Sequence, residues 1–285
     1  MPQKYSLDAL EQIAETIRED IIRMLEHAGS GHSAGPLGLA DVFTALYFDV
    51  LKHDPKKPDW NERDILLLSN GHCVPVQYAA MAEAGYFDKK ELMTLRQFKS
   101  RLQGHPERTK LPGLENTSGP LGSGLSQGAG MALALRMDKQ PHRTVYVVMG
   151  DGEQNEGNVW EAAMLAGKYK LDNLIAITDR NHIQIDGFTE NVMPLEDFKG
   201  KWESFGWFVI EIDGNDIEAV IDACSMAQAV HEQPTMIVAH TIPGKGVDFM
   251  ENDFHWHGMP PNHDQAKEAL HELRSLQGKI RGEHE

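Results

Sequence analysis

Basic residues are scarce in this sequence: 27 lysines and arginines stand against 43 aspartates and glutamates, a formal net charge of −16 over 285 residues. That balance opposes unaided attachment to nucleic acid or an anionic membrane. An anionic ligand therefore needs local help from a metal, helix N-termini or a partner. Cysteine is rarer still. Cys73 and Cys224 are the only two, without CxxC spacing, which excludes a disulfide framework or a cysteine zinc knuckle and fits a reducing compartment. Long apolar runs are also missing. Nothing approaches the roughly 18 apolar residues of a membrane helix, and the opening MPQKYSLDALEQIAETIRED is charged throughout, without the apolar core or cleavage pattern of a signal peptide. A cytoplasmic protein that binds neither nucleic acid nor membrane is expected. Internal repeats and low-complexity segments are absent.

What remains is an ordinary globular composition, 41% apolar and 25% charged, with length enough for one large domain over residues 1–285. Leu7, Leu10, Ile13, Ile17, Ile21, Met24 and Leu25 recur at three-and-four spacing, predicting an amphipathic helix over 7–27. A second helical run spans 37–51. RDILLLS (63–69) is a short apolar run and reads as a buried strand. Residues 104–124, GHPERTKLPGLENTSGPLGSG, carry too much glycine and proline for an element. Lying between helices, they read as a long functional loop. Helix at 123–137, strand at 144–149, helix at 157–169, strand at 173–178, strand at 208–212, helix at 216–230 and strand at 235–240 follow. The fold class is α/β: a mostly parallel sheet with helices on both faces. Ligands in such sheets bind beyond the carboxyl ends of the strands, where NGH, GDG, DRNHIQIDG and TIPGKG all fall.

Asp151, held between Gly150 and Gly152, looks like the wrong charge for a glycine-rich phosphate loop. Asn181 lies just past the next predicted strand, so both side chains reach one site. A carboxylate and an amide oxygen are hard ligands, suited to Mg²⁺ or Ca²⁺ and poor for zinc. The acid then binds the metal, and the metal binds the phosphates. Taken alone, Gly-Asp-Gly is equally a plain turn. Four of 14 histidines lie beside glycine in loop-like stretches, namely His32, His72, His105 and His257. Any one reads as a surface turn residue; together they offer imidazoles that donate to phosphate or hydroxyl groups and move protons near neutral pH. Gly119 precedes Pro120, which disfavours a helical backbone there and can leave its carbonyl free for a ligand amine; a bland turn fits those residues as well. HWH (255–257) lacks companion zinc ligands. GSGLSQG has no preceding strand and the wrong spacing for a dinucleotide fingerprint, and GKG lacks the P-loop frame, leaving Lys245 as a loop lysine.

Six segments form an ordered set: GSGHSAGPLG (29–38), LSNGH (68–72), GHPE with LPGLENTSGPLGSGLSQGAGMA (104–132), GDGEQNEG (150–157), DRNHIQIDG (179–187) and HWHG (255–258). On these segments, residues 5–262 resemble the N-terminal, diphosphate-binding half of transketolase, a thiamine-diphosphate enzyme. The resemblance implies the thiamine-diphosphate-binding fold, with Asp151, Asn181 and the backbone carbonyl of Ile183 on the metal, magnesium or alternatively calcium. His72 and His257 would contact the diphosphate. Gly119, Leu121, Gly150, Gly152, Glu153 and Ile185 would line the cofactor, with the Gly119 carbonyl facing its amino group. His32, His105 and His257 would surround the reacting carbon of the sugar. Glu156 matches a family acid at a contact between subunits. Cys73, Arg180 and His182 depart from the pattern next to these positions and leave the metal set standing.

Enzymes of that family continue with a pyrimidine-binding domain, which supplies the glutamate that activates the cofactor, and then a third domain. Neither fits after residue 262. The expectation is one subunit of a split transketolase, active only with a C-terminal partner chain, as a heterotetramer of two copies of each. It would transfer a two-carbon ketol unit between sugar phosphates of the pentose phosphate type. A branched or sulfonated sugar is the alternative substrate. The α subunit of a 2-oxoacid dehydrogenase is a rival opposed by the GSGH, NGH and GHP histidines, and a non-catalytic assembly protein is a second rival.

Overall fold

The computed structural model describes residues 5–140 and 142–284, the side chains beyond Ser275 excepted. Helix α1 (Leu7–Ala28) begins at an N-cap Ser6 whose hydroxyl accepts from Ala9 N, and ends on Gly29 at φ 61°, the left-handed stop that glycine adopts without strain. The run expected as one helix over 37–51 starts earlier and is broken. It comprises α2 (Ala34–Gly38), α3 (Ala40–Ala45) and a π-helical turn, Leu46–Val50. At the interruption the chain packs closely on a distant segment, since a Cβ on Gly38 would lie 2.8 Å from the backbone oxygen of Ile242.

Strand β1 (Ile65–Leu68) and α4 (Val74–Glu83) follow. No α-helix directly precedes the loop at 104–124 as expected; a 3-10 segment, Lys89–Thr94, and irregular turns lead into it. Then come α5 (Ser123–Met137), β2 (Val145–Gly150), α6 (Gly157–Tyr169) and β3 (Leu174–Arg180). A small antiparallel pair, β4 (Ile183–Gln184) with β5 (Gly187–Phe188), precedes α7 (Thr189–Val192) and α8 (Phe198–Ser204). β6 (Phe208–Asp213), α9 (Ile217–Gln228), β7 (Thr235–His240) and α10 (His263–His284) complete the chain order.

The five long strands form one parallel sheet in the order β1-β2-β3-β7-β6. Both faces are covered, so the inner strands read as unbroken apolar runs while their side chains alternate between two cores. Tyr146, Val148, Ile175 and Ile177 enter the core beneath α1, α3, α4 and α9. Val145, Val147, Met149, Leu174 and Ala176 enter the other, beneath α5, α6 and α8. Trp202 and Trp207 fill the second core, each donating its indole N–H inward, to Gln154 Oε1 at 3.0 Å and to Ala163 O at 3.0 Å.

The first turn of α5 presses directly on the end of β1. Gly124 N donates to Ser69 Oγ at 3.0 Å, and a Cβ at Gly124 would lie 2.4 Å from Ser69 Cβ and 2.8 Å from Ser69 Cα. A backbone atom cannot move aside cheaply. Gly124→Ala should therefore lose up to about 2 kcal/mol of stability, overpacking of about 1–3 kcal/mol offset by the roughly 1 kcal/mol that alanine gains in a helix. Urea unfolding tests this, and a stabilised variant would refute the close approach.

Candidate functional site

The carboxyl ends of β1, β2 and β3 open into a cavity of about 300 Å³. β1 runs into Asn70 and His72, β2 into Gly150, Asp151, Gly152 and Glu153, and β3 into Asp179 and Asn181, with Ile183, Gln184 and Ile185 from the hairpin beyond it. The long loop adds His105, Gly119 and Leu121, and more distant turns add His32 and His257. Every residue expected to touch metal, cofactor or sugar lines this one space. The fourth strand end differs. The TIPGKG loop after β7 folds back, Gly244 N donating to Ala34 O at 2.9 Å, so it buttresses the His32 turn instead of lining the cavity. Its Thr241 reaches the site indirectly, by a hydroxyl bond to Asp179.

The long loop is held like a strand that never formed. Asn116 accepts from Leu68 N at 3.2 Å and donates to Leu68 O at 3.1 Å, capping the edge of β1, while Arg63 clamps Glu115 with two bonds of 2.8 and 2.9 Å. Ser118 N donates to Pro106 O at 3.2 Å, closing the loop so that His105 and Gly119 face each other across the cavity mouth.

Asp151 is 1% exposed. Its Oδ1 accepts from Gly152 N at 2.7 Å, and its Oδ2 accepts from Arg180 Nη1 at 3.0 Å and His182 N at 2.8 Å. A carboxylate has about four acceptor sites, so one remains, on Oδ1. Asn181 is oriented by chemistry: its amide donates to Asp179 Oδ2 at 2.8 Å, so the amide oxygen is the atom that accepts from Ile183 N at 3.0 Å, again with a lone pair to spare. Glu153 lines the cavity, yet its oxygens already accept from Ser69 Oγ, Gly122 N at 2.6 Å and Gly150 N at 3.0 Å. It braces the glycine turn. Burial pushes the Asp151 carboxyl up to about 6 and the Asp179 carboxyl up to about 7.

Three imidazoles pack together. Ring centroids lie 4.8 Å apart for His32 and His72, 5.2 Å for His72 and His257, and 5.7 Å for His32 and His257. Burial comes first, then neighbouring His257, Arg96 and His105, in holding His32 down to about 4. Burial also lowers His72, His105 and His257. Neutral rings of this kind can each donate and accept. The sign of the linkage follows: an unfolded histidine takes up its proton near 6.5, the folded His32 only near 4, so its contribution to stability declines as pH falls from 6.5 to 4. Asp151 and Asp179, being raised, act with the opposite sign, losing stability as pH rises. His32→Gln should remove up to about 1.4 kcal/mol per pH unit of the acid-side decline, read as the difference from the parent in urea unfolding at several pH values. An unchanged slope would show that the ring protonates freely.

Three residues of the site have little or no signal in the sequence. Asn70 is 1% exposed with neither amide atom hydrogen-bonded among the described residues; a polar side chain ending an apolar strand run is the signal that could have found it. Asp179 fixes Asn181, and its signal is only adjacency to that residue. Arg96, at φ 60°, lies beside Gly31 and Gly104 and bears electrostatically on His32 and His105. No sequence spacing points to it. Glu156 is exposed at the N-cap of α6. His255 pairs with Asp253 at 2.6 Å on the surface while His257 enters the cavity, so the HWH residues divide between two places. Lys245 is half-buried, near Glu15.

The residues present fit a cation with a diphosphate. Asp151 and Asn181 each keep a hard oxygen lone pair, and Asn70, Gln184 Nε2, His32 Nδ1 and His257 Nδ1 are buried polar atoms without partners among the described residues, which costs stability unless a ligand satisfies them. A Cβ at Gly119 would meet nothing within 4 Å, leaving room beside its carbonyl.

Residues 9–275 match the family described as transketolase, thiamine diphosphate binding domain. The chain is 41% identical to one of the subunits of the apulose-4-phosphate transketolase of Phocaeicola vulgatus, over 98% of both chains. It is 43% identical to the 6-deoxy-6-sulfo-D-fructose transketolase subunit SqwG of a Clostridium species, over 93% of this chain and 96% of that one. The crystal structure of transketolase from Campylobacter jejuni superimposes with a TM-score of 0.88 at 32% identity, covering 97% of this chain and 46% of that one. The chain thus spans under half the length of the solved transketolases it matches.

Proposed function

Since the chain belongs to the transketolase family and carries its thiamine-diphosphate-binding domain, we propose that it is the diphosphate- and metal-binding subunit of a two-chain transketolase. The observation that carries this reading is one cavity holding the spare oxygens of Asp151 and Asn181 at one end and four lowered-pKa histidines around the rest. Asp151 Oδ1, Asn181 Oδ1 and the Ile183 carbonyl would hold Mg²⁺, or Ca²⁺ as the alternative, and the cation would neutralise the diphosphate charge there. Bound thiamine diphosphate supplies the electron sink that lets a ketose break its C2–C3 bond and pass a two-carbon unit to an aldose.

The chain's own work is positioning and proton handling. His72 and His257 donate to diphosphate oxygens, and the Gly119 carbonyl accepts from the cofactor amine. His32 and His105, neutral at pH 7, would each donate an N–H to the substrate carbonyl oxygen as negative charge develops there, and a bare ring nitrogen would take the proton of the substrate hydroxyl that becomes a carbonyl as the C2–C3 bond breaks; His257, its one N–H given to the diphosphate, would face the sugar with its acceptor nitrogen. Leu121 and Ile185 present apolar surface at the cavity mouth, which would exclude water from the reacting end once a second chain covers it.

For the substrate, the proposal is a non-standard sugar: a branched or sulfonated ketose is favoured over ordinary pentose phosphates because the two split relatives at 41% and 43% identity are named for such sugars. Arg96, outside the cavity lining, adds positive potential at His32 and His105 that favours an anionic substrate. The reconstituted pair, assayed in parallel on xylulose 5-phosphate, a branched ketose phosphate and a sulfonated ketose, decides the matter. A clear preference for xylulose 5-phosphate would overturn the substrate reading, and no transfer from any ketose would overturn the activity.

A further inference from the structure

Arg180 is 1% exposed, and its guanidinium is a hub. Nη1 donates to Asp151 Oδ2 at 3.0 Å and to Thr189 Oγ1 at 3.3 Å; Nη2 donates to Glu190 Oε1 at 2.7 Å and Glu196 Oε1 at 2.8 Å. The cation also lies 5.2 Å over the Phe198 ring. It therefore joins the buried acid of the cation site to the segment from α7 to the start of α8. The two glutamates act on that segment's backbone in turn. Glu190 accepts from Leu195 N at 3.1 Å, and Glu196 accepts from Phe198 N at 3.0 Å. On its outer side the segment exposes Val192 and Met193, a short way along the chain from Ile185 on the cavity lining.

We propose that Arg180 is a positioning residue that couples loading of the cation site to tightening of the 189–198 segment at the cavity rim. The inference rests on the diphosphate and metal reading above. Asp151 shares its charge between Arg180 on Oδ2 and the open position on Oδ1. A divalent cation arriving at Oδ1 draws on the same carboxylate and repels the guanidinium across it, because like charges in a buried site are poorly screened. Arg180 then leans on Glu190 and Glu196, whose carboxylates are fixed more firmly over the Leu195 and Phe198 amides. A local charge change at the cofactor is thereby converted into order at a surface 189–198 segment, the kind of two-site linkage that defines coupling.

Hydrogen exchange on the full chain with Mg²⁺ and thiamine diphosphate tests this without measuring turnover. Loading should slow exchange at Gly152 and His182, whose amides bond Asp151, and slow Leu195 and Phe198 by about tenfold or more. In the double variant Glu190→Gln, Glu196→Gln, which alters partly exposed side chains and keeps the Arg180–Asp151 pair, the first effect should persist and the second should vanish. Arg180→Met should abolish the second effect as well. Slowing at Gly152 and His182 without slowing at Leu195 and Phe198 in the parent overturns the coupling alone, as does undiminished rim slowing in the double variant. No slowing at any of the four overturns the cofactor reading and the coupling with it.

Discussion

Asp151→Ala is expected to abolish Mg²⁺-dependent thiamine diphosphate binding, with no saturation in calorimetry where the parent chain saturates. His105→Ala is expected to lower turnover by about 10²–10⁴, the range of a lost acid–base group, while leaving cofactor affinity within about threefold. The division follows from geometry. Among the three carboxylates that line the cavity, Glu153 holds the glycine turn through Ser69, Gly122 and Gly150, and Asp179 holds Asn181 and Thr241. Asp151 is the carboxylate assigned to the cation, through the position left on its Oδ1, and without it the remaining ligands, an amide and a carbonyl, are neutral. Mg²⁺ sheds water reluctantly and needs that charge. His105 sits on the loop at the other side of the cavity, beside Arg96 and His32, away from the cation end. Removing Asp151 also strips the buried Arg180 of one partner, although Glu190 and Glu196 still hold it. Asp151→Asn keeps the shape but turns one accepting oxygen into an NH2 that faces a donor, so urea unfolding of both variants is what separates a fold-related loss from a charge-related one. Measured with the partner present, equal effects of Asp151→Ala and His105→Ala on cofactor affinity would refute this assignment of roles.

Much of the fold is legible because propensity, pattern and punctuation agree. Helix α5 starts at the residue expected from the glycine-rich turn before it, and α6 and β7 begin and end where their apolar patterns do. What stays hidden depends on the chain's return. The close approach of Gly38 to the backbone of Ile242 joins segments far apart in sequence, and no helical periodicity within 37–51 registers it. The same holds in the site. Asp151 and Asn181 are readable because each follows its own strand by a fixed step, whereas Arg96 reaches the histidines through a turn whose path the sequence does not encode locally. Asp179 is visible only as a neighbour; its role appears when β3 pairs with β7 and brings Thr241 against it.

Purified alone and supplied with Mg²⁺, thiamine diphosphate and a donor ketose, the chain is expected to show no ketol transfer, at least about 10³-fold below the rate with a second chain. The cavity supports this. The resemblance to transketolase gives cofactor activation to a glutamate on another domain, and none of the carboxylates on the cavity wall can replace it, since Asp151 faces the cation and Glu153 and Asp179 are held by protein donors. The lining is also unfinished on the outside. Leu121 is 37% exposed and Ile185 63%, which leaves apolar area at the mouth that a second chain would cover at roughly 25 cal/mol per Å². Helix α6, whose N-cap is Glu156, the acid expected at a contact between subunits, also exposes Met164, Leu165 and Tyr169. Both split relatives are named as subunits. Co-expression with the candidate C-terminal chain should yield a complex of two copies of each by light scattering, and Glu156→Ala should weaken it while leaving the isolated chain folded. Appreciable turnover by the chain alone would overturn the split-site reading, because it would place the activating group on this chain.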